Sequence, residues 1–145
     1  MKLLVTGVEG YIGCLLAPFL QARGHEIVGL DTGYYRDGWL FSDSQLVPGF
    51  PRTINRDIRN IQADDLQGID AVVHMAELSN DPLGENVPEL TFQINHQASV
   101  RLAELAKAAG VKLEAELMTA IDDILAPVTQ LDPALATSPQ RSTFN

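Results

Sequence analysis

Val5-Thr6-Gly7-Val8-Glu9-Gly10-Tyr11-Ile12-Gly13 decides the fold of this 145-residue chain. The stretch places three glycines at Gly-x-x-Gly-x-x-Gly spacing directly after the apolar run Leu3-Leu4-Val5, and a helical pattern follows at once. A strand, a glycine turn and a helix in this order present the unpaired N–H groups of the helix to a pyrophosphate. Gly7 would allow the tight turn, Gly10 the approach of phosphate oxygens, and Gly13 close packing of helix on strand.

Beyond the glycine turn, the sequence alternates strand and helix patterns as far as residue 111. Such alternation predicts a parallel sheet with right-handed crossovers, a Rossmann-like doubly wound α/β domain over residues 1–111. A long aromatic-rich loop is expected at 32–50, packing either on the domain itself or against a cofactor or partner. The predicted strands are 2–6, 26–30, a weak one near 52–55 and 70–76, and the predicted helices are 11–23, a short helix or turn at 61–66, and 88–109.

Polar residues fall where several of these strands end. In a doubly wound sheet the ligand lies beyond the carboxyl ends of the strands, so the glycine turn, Asp31, Asp57 and segment 74–77 converge on one predicted site. Plainer interpretations stay open: the glycines only make a turn, Asp31 only caps a turn, and Asp57 is a solvated turn acid. For His74 we favour a hydrogen-bonded structural role over a catalytic base, and no metal site is predicted near it.

Four motifs in order, and a helical segment after them, carry a resemblance to a known family. The glycine turn is followed by Gly29-Leu30-Asp31, by Asp57-Ile58-Arg59, by Val73-His74-Met75-Ala76, and by the helical segment Ile94-Asn95-His96-Gln97-Ala98-Ser99. The series resembles the N-terminal part of the extended short-chain dehydrogenase/reductase family, and within it the NAD-dependent nucleotide-sugar epimerases and dehydratases. The likeness covers about residues 1–111, three quarters of the chain.

The resemblance implies NAD as the cofactor. It places Asp31 on the hydroxyls of the adenosine ribose, where a carboxylate repels a 2′-phosphate and so selects NAD over NADP. It also places Asp57 and Ile58 beside the adenine, and Met75 and Ala76 beside the central part of the cofactor. The residues that it assigns to the pyrophosphate are Gly7, Gly10, Tyr11, Ile12 and Gly13.

Two departures from the family pattern bear on activity. Glu77 stands where the family usually has a small residue, and an anion there could weaken cofactor binding. After Val111 the family continues into a catalytic Tyr-x-x-x-Lys helix, whose tyrosinate is the acid/base of hydride transfer. This chain has no Tyr-x-x-x-Lys, since its lysines are at positions 2, 107 and 112 and its tyrosines at 11, 34 and 35.

No catalytic residue is therefore predicted, and three functional hypotheses remain. The favoured one is an NAD-binding module, truncated before the catalytic segment and without independent catalysis. The alternative is an NAD-dependent epimerase, dehydratase or oxidoreductase that works through other residues or with a catalytic half from another chain. A fragment whose C-terminal part has no selected function is the third.

Residues 112–128 have one apolar stripe at helical spacing, which predicts an extra C-terminal helix. Residues 129–145 are expected to form a mobile tail, since they are rich in proline, serine and threonine. The stripe either docks on its own domain or faces a partner. Because the resembled family dimerises through its fourth helix and the helix after it, a homodimer through residues 88–125 is the predicted assembly.

Composition narrows the classes of partner and compartment. The formal net charge of −9 argues against binding to nucleic acid or to an anionic membrane surface. The single cysteine, Cys14, cannot form an internal disulfide and is expected to fill a small space in the core. The apolar start is interrupted by Thr6, Gly7 and Glu9, so no signal peptide is expected, and no run is long enough for a membrane span. The expected location is the cytoplasm.

Overall fold

The computed structural model describes residues 1–34, 50–79 and 81–111. All of these belong to the unit Met1–Lys112. Most of the predicted aromatic loop, the predicted helix at 112–128 and the predicted tail at 129–145 lie outside the described residues, and the domain boundaries stay predictions.

A parallel sheet of four strands forms the framework. Strands β1 (Lys2–Thr6), β2 (Glu26–Asp31), β3 (Arg52–Asn55) and β4 (Ala71–His74) are arranged in the order β3-β2-β1-β4. The central strand β1 is apolar without alternation because both faces of a parallel sheet are covered, and residues 3–6 have no exposed area. The predicted Rossmann-like parallel α/β class is confirmed.

Helix α1 (Gly13–Ala22) follows the glycine turn and continues through Pro18. Ile12 and Leu15 belong to the apolar stripe of this helix in the sequence, yet their side chains are 64% and 57% exposed. A helix packed closely on a sheet presents small side chains to it, and larger ones then point outward. The buried residues of α1 are Gly13, Cys14, Ala17 and Leu20.

The connection from β3 to β4 consists of two short 3₁₀ turns, Ile58–Asn60 and Ala63–Leu66. After β4 comes a helix that the sequence pattern did not predict, α2 (Asp81–Asn86). Its six residues include both a proline and a glycine, which weaken any helical pattern, although proline is tolerated in a first helical turn.

The predicted long helix at 88–109 is present as three consecutive helical segments. These are α3 (Pro88–Phe92), a π-helical turn (Gln93–Gln97) and α4 (Ala98–Ala108). Ala98 and Leu102 are buried against the sheet, in a core cluster that also contains Leu4, Leu30, Ile58, Ile61, Leu66 and Ile69. Within the described parts of the chain, no helix is long and apolar enough to cross a lipid bilayer.

Candidate functional site

An open cleft of about 600 Å³ lies where the carboxyl ends of the four strands meet. This is the edge at which open α/β sheets bind ligands. The described residues that line it are Gly7, Gly10, Leu30, Asp31, Thr32, Tyr34, Arg56, Asp57, Ile58, Met75, Ala76, Glu77, Leu78 and Ile94.

The glycine turn forms one wall of the cleft. Two of its positions must be glycine because a Cβ atom there would collide with nearby backbone. Gly7 has a φ of +69°, and a Cβ atom there would lie 2.7 Å from the backbone oxygen of Met75. A Cβ atom on Gly13 would overlap the carbonyl oxygen of Gly7 itself. Gly10 is different, because the nearest atom to a Cβ there is the Gly7 oxygen at 3.2 Å. Gly10 therefore leaves bare backbone facing the cleft.

Asp31 ends β2 with its carboxylate fixed on both sides. One oxygen accepts the backbone N–H of Glu9, within the glycine turn, at 3.0 Å, and the other accepts that of Gly33 at 2.9 Å. The turn is tied to the same strand by the Gly7 N–H, which donates to the Leu30 carbonyl oxygen at 2.8 Å. Each carboxylate oxygen keeps a further lone pair, which a ligand hydroxyl can use.

Asp57 caps the first 3₁₀ turn and is held by Arg59. Its carboxylate accepts the backbone N–H of Arg59 at 2.9 Å and the guanidinium N–H groups at 2.6–3.1 Å. These bonds from Arg59 hold the pKa of Asp57 below its usual value, although partial burial opposes them. A ligand amino group at Asp57 would have to share this carboxylate with Arg59, a competition that the sequence pattern does not reveal.

Arg56 follows β3 and also lines the cleft, and sequence reasoning missed it. Its guanidinium donates to Asp65 at 2.9 Å, and Asp65 is buried with a side chain only 6% exposed. Asp65 accepts the backbone N–H of Gln62 as well, at 2.8 Å. The positive charge of Arg56 is thus paired with the buried carboxylate of Asp65.

His74 ends β4 and has a hydrogen-bond partner on each ring nitrogen. Nδ1 lies 2.7 Å from the hydroxyl oxygen of Thr6, and Nε2 lies 2.9 Å from that of Ser99. The Thr6 oxygen in turn accepts the backbone N–H groups of Met75 at 3.0 Å and Ala76 at 3.2 Å. These contacts agree with the structural role expected for His74.

Asn95, in the π-helical turn, fixes the backbone that follows β4. Its side-chain oxygen accepts the N–H of Leu78 at 2.8 Å, and its side-chain nitrogen donates to the carbonyl oxygen of Leu78 at 2.9 Å. The clamp holds the segment that carries Glu77, whose exposed side chain lines the cleft.

Seven of the ten predicted cofactor residues line this one cleft: Gly7, Gly10, Asp31, Asp57, Ile58, Met75 and Ala76. The other three are placed differently. The side chains of Tyr11 and Ile12 are each 64% exposed at the start of α1, and Gly13 is buried behind the turn. In the described segments, no group of three or more His, Cys, Asp or Glu side chains is arranged to hold a metal ion.

Comparison with known proteins places the chain in a family. The model of the NAD-dependent epimerase/dehydratase family matches residues 3–122, most of the chain. The chain belongs to this family. Among curated epimerase/dehydratase relatives, a UDP-glucose 4-epimerase of Klebsiella pneumoniae is 36% identical over 121 residues, a match that covers 77% of this chain and 84% of the relative. A UDP-glucose 4-epimerase of Corynebacterium glutamicum is 31% identical over 115 residues, covering 77% of this chain and 32% of the relative.

Solved structures of family members have the same fold. A UDP-glucose-4-epimerase from Stenotrophomonas maltophila, with bound NAD and formylated UDP-arabinopyranose, has a TM-score of 0.68 and 32% identity. The Thermus thermophilus UDP-glucose 4-epimerase in complex with NAD has a TM-score of 0.63 and 26% identity. Each match covers 77% of this chain and 35% of the solved chain, so this chain spans about a third of their length.

Proposed function

We propose that this chain is an NAD-binding module of the epimerase/dehydratase family. The observation that carries the proposal is the fixed carboxylate of Asp31, which lies in the same cleft as the bare backbone of Gly10. The glycine turn offers backbone to a pyrophosphate, and the carboxylate offers acceptors to the two hydroxyls of an adenosine ribose. NAD-bound relatives of the same fold support this assignment.

The proposed module selects NAD over NADP. A 2′-phosphate beside Asp31 would bring two negative charges together in a partly buried site, which is unfavourable. A free arginine could offset that repulsion, but Arg56, the arginine that lines the cleft among residues 1–34, 50–79 and 81–111, is paired with buried Asp65. The preference for NAD therefore rests on the negative charge of Asp31. It also rests on the pairing of Arg56 with Asp65, which leaves Arg56 unable to attract a 2′-phosphate.

The proposed module does not catalyse alone. No Tyr-x-x-x-Lys occurs in the 145 residues, and in this family that pair supplies the acid/base group of hydride transfer. The second candidate function is catalysis with a catalytic half from another chain, which the threefold greater length of the Corynebacterium and Stenotrophomonas epimerases favours. A steady nicotinamide-dependent turnover of a sugar nucleotide by this chain alone would contradict the first candidate.

Calorimetric titration with NAD and NADP tests the binding proposal. Asp31→Asn removes the charge with little change of shape, and we expect NAD to bind at least about tenfold more weakly while the NAD/NADP preference narrows. Asp64→Asn is the matched control, because Asp64 is exposed on the second 3₁₀ turn and does not line the cleft. Equal NAD affinity in wild type and Asp31→Asn, with both folded, would refute the role of Asp31.

A homodimer is proposed for the assembly, within the range 88–125. Its support is an exposed stripe on the helical segments: Phe92 is 49% exposed and Val100 46% exposed, with the ring of His96 stacked 4.8 Å from that of Phe92. Residues at spacings of four lie on one face of a helix, so the three form one surface. A cytoplasmic location is proposed as well, supported by Cys14 as a buried free thiol.

A further inference from the structure

The hydrogen bonds around His74 determine which ring nitrogen carries its proton. The hydroxyl of Ser99 donates to the Asn95 carbonyl oxygen at 2.8 Å, so its oxygen is an acceptor toward Nε2 of His74. The Thr6 oxygen already accepts two backbone N–H groups, so its single O–H is left to donate to Nδ1. The partners of both ring nitrogens indicate the same tautomer, in which Nε2 carries the proton and Nδ1 does not.

The neutral form of His74 thereby affects the Met75–Ala76 segment of the cleft, although His74 itself does not line the cleft. Thr6 can accept from Met75 and Ala76 only while its own proton points at Nδ1. Met75 and Ala76 line the cleft, and the Met75 oxygen limits the space behind Gly7. We propose that His74 is a positioning residue of the cofactor cleft, holding the Met75–Ala76 backbone through Thr6 only in its neutral, Nε2-protonated form.

Protonation of His74 breaks this arrangement. A proton on Nδ1 would face the Thr6 hydroxyl at 2.7 Å, and both lone pairs of that oxygen are already used by Met75 and Ala76. The Met75 N–H also donates to the backbone carbonyl oxygen of Thr6 at 3.2 Å, so the N–H of Ala76 is the group that then loses its acceptor. Since Thr6 has no exposed area, water cannot replace the lost bond without opening of the cleft wall. Acidification is therefore coupled to displacement of the Met75–Ala76 backbone.

The surroundings of His74 favour its neutral form at neutral pH. Burial lowers the pKa of His74 below its ordinary value, and the negative charge of Glu77 opposes this only in part. The groups that face the ring from β1 and α4 are the hydroxyls of Thr6 and Ser99, which carry no charge. Cofactor binding to the intact wall should lower the His74 pKa further, because binding and proton release are reciprocally linked.

Nuclear magnetic resonance on the full chain tests the arrangement without any ligand. Long-range ¹⁵N–¹H spectra should show His74 as the Nε2–H form at pH 7.5, and the amide signals of Met75 and Ala76 should move with its titration midpoint. His25, which precedes β2 and does not line the cleft, is the internal control, because a change in its charge should leave those two amides in place. An Nδ1–H form, or titration of His74 without movement of the Met75 and Ala76 amides, would overturn the proposal.

Calorimetry then tests the link to the proposed NAD site, on which this inference rests. Between pH 7.5 and one pH unit below the His74 midpoint measured by magnetic resonance, we expect NAD affinity to fall by up to about tenfold per pH unit below that midpoint. His74→Asn removes the titration and should flatten that profile relative to wild type, whereas His25→Asn should keep it, since His25 precedes β2 and does not line the cleft. An identical profile in His74→Asn overturns the positioning role. Absence of NAD binding at every pH would instead refute the proposed function, and the magnetic resonance result would still decide the role of His74.

Discussion

At the scale of single residues, the hydrogen bonds and ion pairs of the charged side chains explain most of the chemistry of the cleft. Asp31 is fixed by backbone N–H groups, Asp57 by Arg59, and Arg56 by Asp65. Backbone donors leave the charge of Asp31 uncompensated, whereas an arginine offsets the charge of Asp57. The two acids at neighbouring strand ends therefore differ: the charge of Asp31 is the one on which the proposed cofactor recognition rests, and Asp57 stabilises a turn.

The pair of Asp57 and Arg59 makes stability depend on pH. The folded-state pKa of Asp57 is lowered, so its contribution is present above the ordinary carboxyl pKa of about 3.9 and is lost as pH falls below that value. Arg59→Gln should reduce the free energy of unfolding by about 1 kcal/mol at pH 7, a modest amount because the arginine side chain is 36% exposed.

Urea denaturation at pH 7 measures that loss, and carboxyl titration by magnetic resonance measures the pKa. In Arg59→Gln the pKa of Asp57 should rise toward its ordinary value. A pKa of Asp57 that does not change on removal of the guanidinium would contradict the assigned cause.

The hydrogen-bond and ion-pair partners of the site residues were also the feature that the sequence predicted least well. Spacing placed Asp31, Asp57 and His74 at strand ends, because strand patterns and glycine turns are local properties of the chain. The partner of Arg56 is nine residues away, and Ser99 is 25 residues from His74. Such contacts depend on how the turns and α4 pack on the sheet, which no local pattern specifies.

At the scale of elements, the glycine turn is limited by space at two positions. Gly13→Ala should destabilise the fold by at least about 2 kcal/mol, because the new methyl group would overlap the carbonyl oxygen of Gly7 and neither backbone can move freely. Gly84→Ala is the matched control: no atom lies within 4 Å of a Cβ there, and the residue is within helix α2. It should be neutral or stabilising by up to about 1 kcal/mol.

Chemical denaturation of both alanine variants compares them directly. A Gly13→Ala protein as stable as Gly84→Ala would show that the turn and α1 are packed less closely than described here.

The clamp between Asn95 and Leu78 joins the π-helical turn to the strand end. Asn95→Ala should cost about 2 kcal/mol, since it leaves an N–H and a carbonyl group of partly buried backbone without partners. Asn86→Ala removes one exposed hydrogen bond, to the Pro82 oxygen, and should cost less than about 0.5 kcal/mol. Thermal unfolding of the two variants separates these cases, and equal melting temperatures would argue against the clamp.

Element types were largely predictable, and element faces were less so. Three of the four strands and the long helix at 88–109 carry clear apolar patterns, the strand near 52–55 carries a weak one, and the structure contains all of them. The buried face of α1 was not predictable, because Ile12 and Leu15 are as apolar as the residues that pack. Only close contact with the sheet, which favours Cys14 and Ala17, selects the face.

At the scale of the whole molecule, the chain holds the cofactor half of its family's fold. It spans 32% of the Corynebacterium relative and 35% of the solved Stenotrophomonas structure. The polar wall of the cleft is already built by residues 1–79, where hydrogen bonds join the ends of β1, β2 and β4. This wall is the part of the chain on which the proposed cofactor binding rests.

The proposed dimer is tested at this scale by sedimentation velocity at tens of micromolar. Wild type should sediment as a dimer, and Phe92→Glu should shift it to monomer, because a charge would be buried in the shared apolar surface. Leu15→Glu is the control, since Leu15 is 57% exposed on α1, outside residues 88–125. A monomeric wild type would refute the dimer.

The most direct test of NAD binding in this cleft is titration of the ¹⁵N-labelled chain with NAD, followed through its glycine amides. Gly7 and Gly10 line the cleft, whereas Gly24, Gly68 and Gly110 lie in other turns that share the positive φ of Gly7. Saturable shifts at Gly7 and Gly10, with the other three unmoved, are the expected result. Unchanged signals at Gly7 and Gly10 at millimolar NAD, or shifts centred on the other three glycines, would contradict the proposed function.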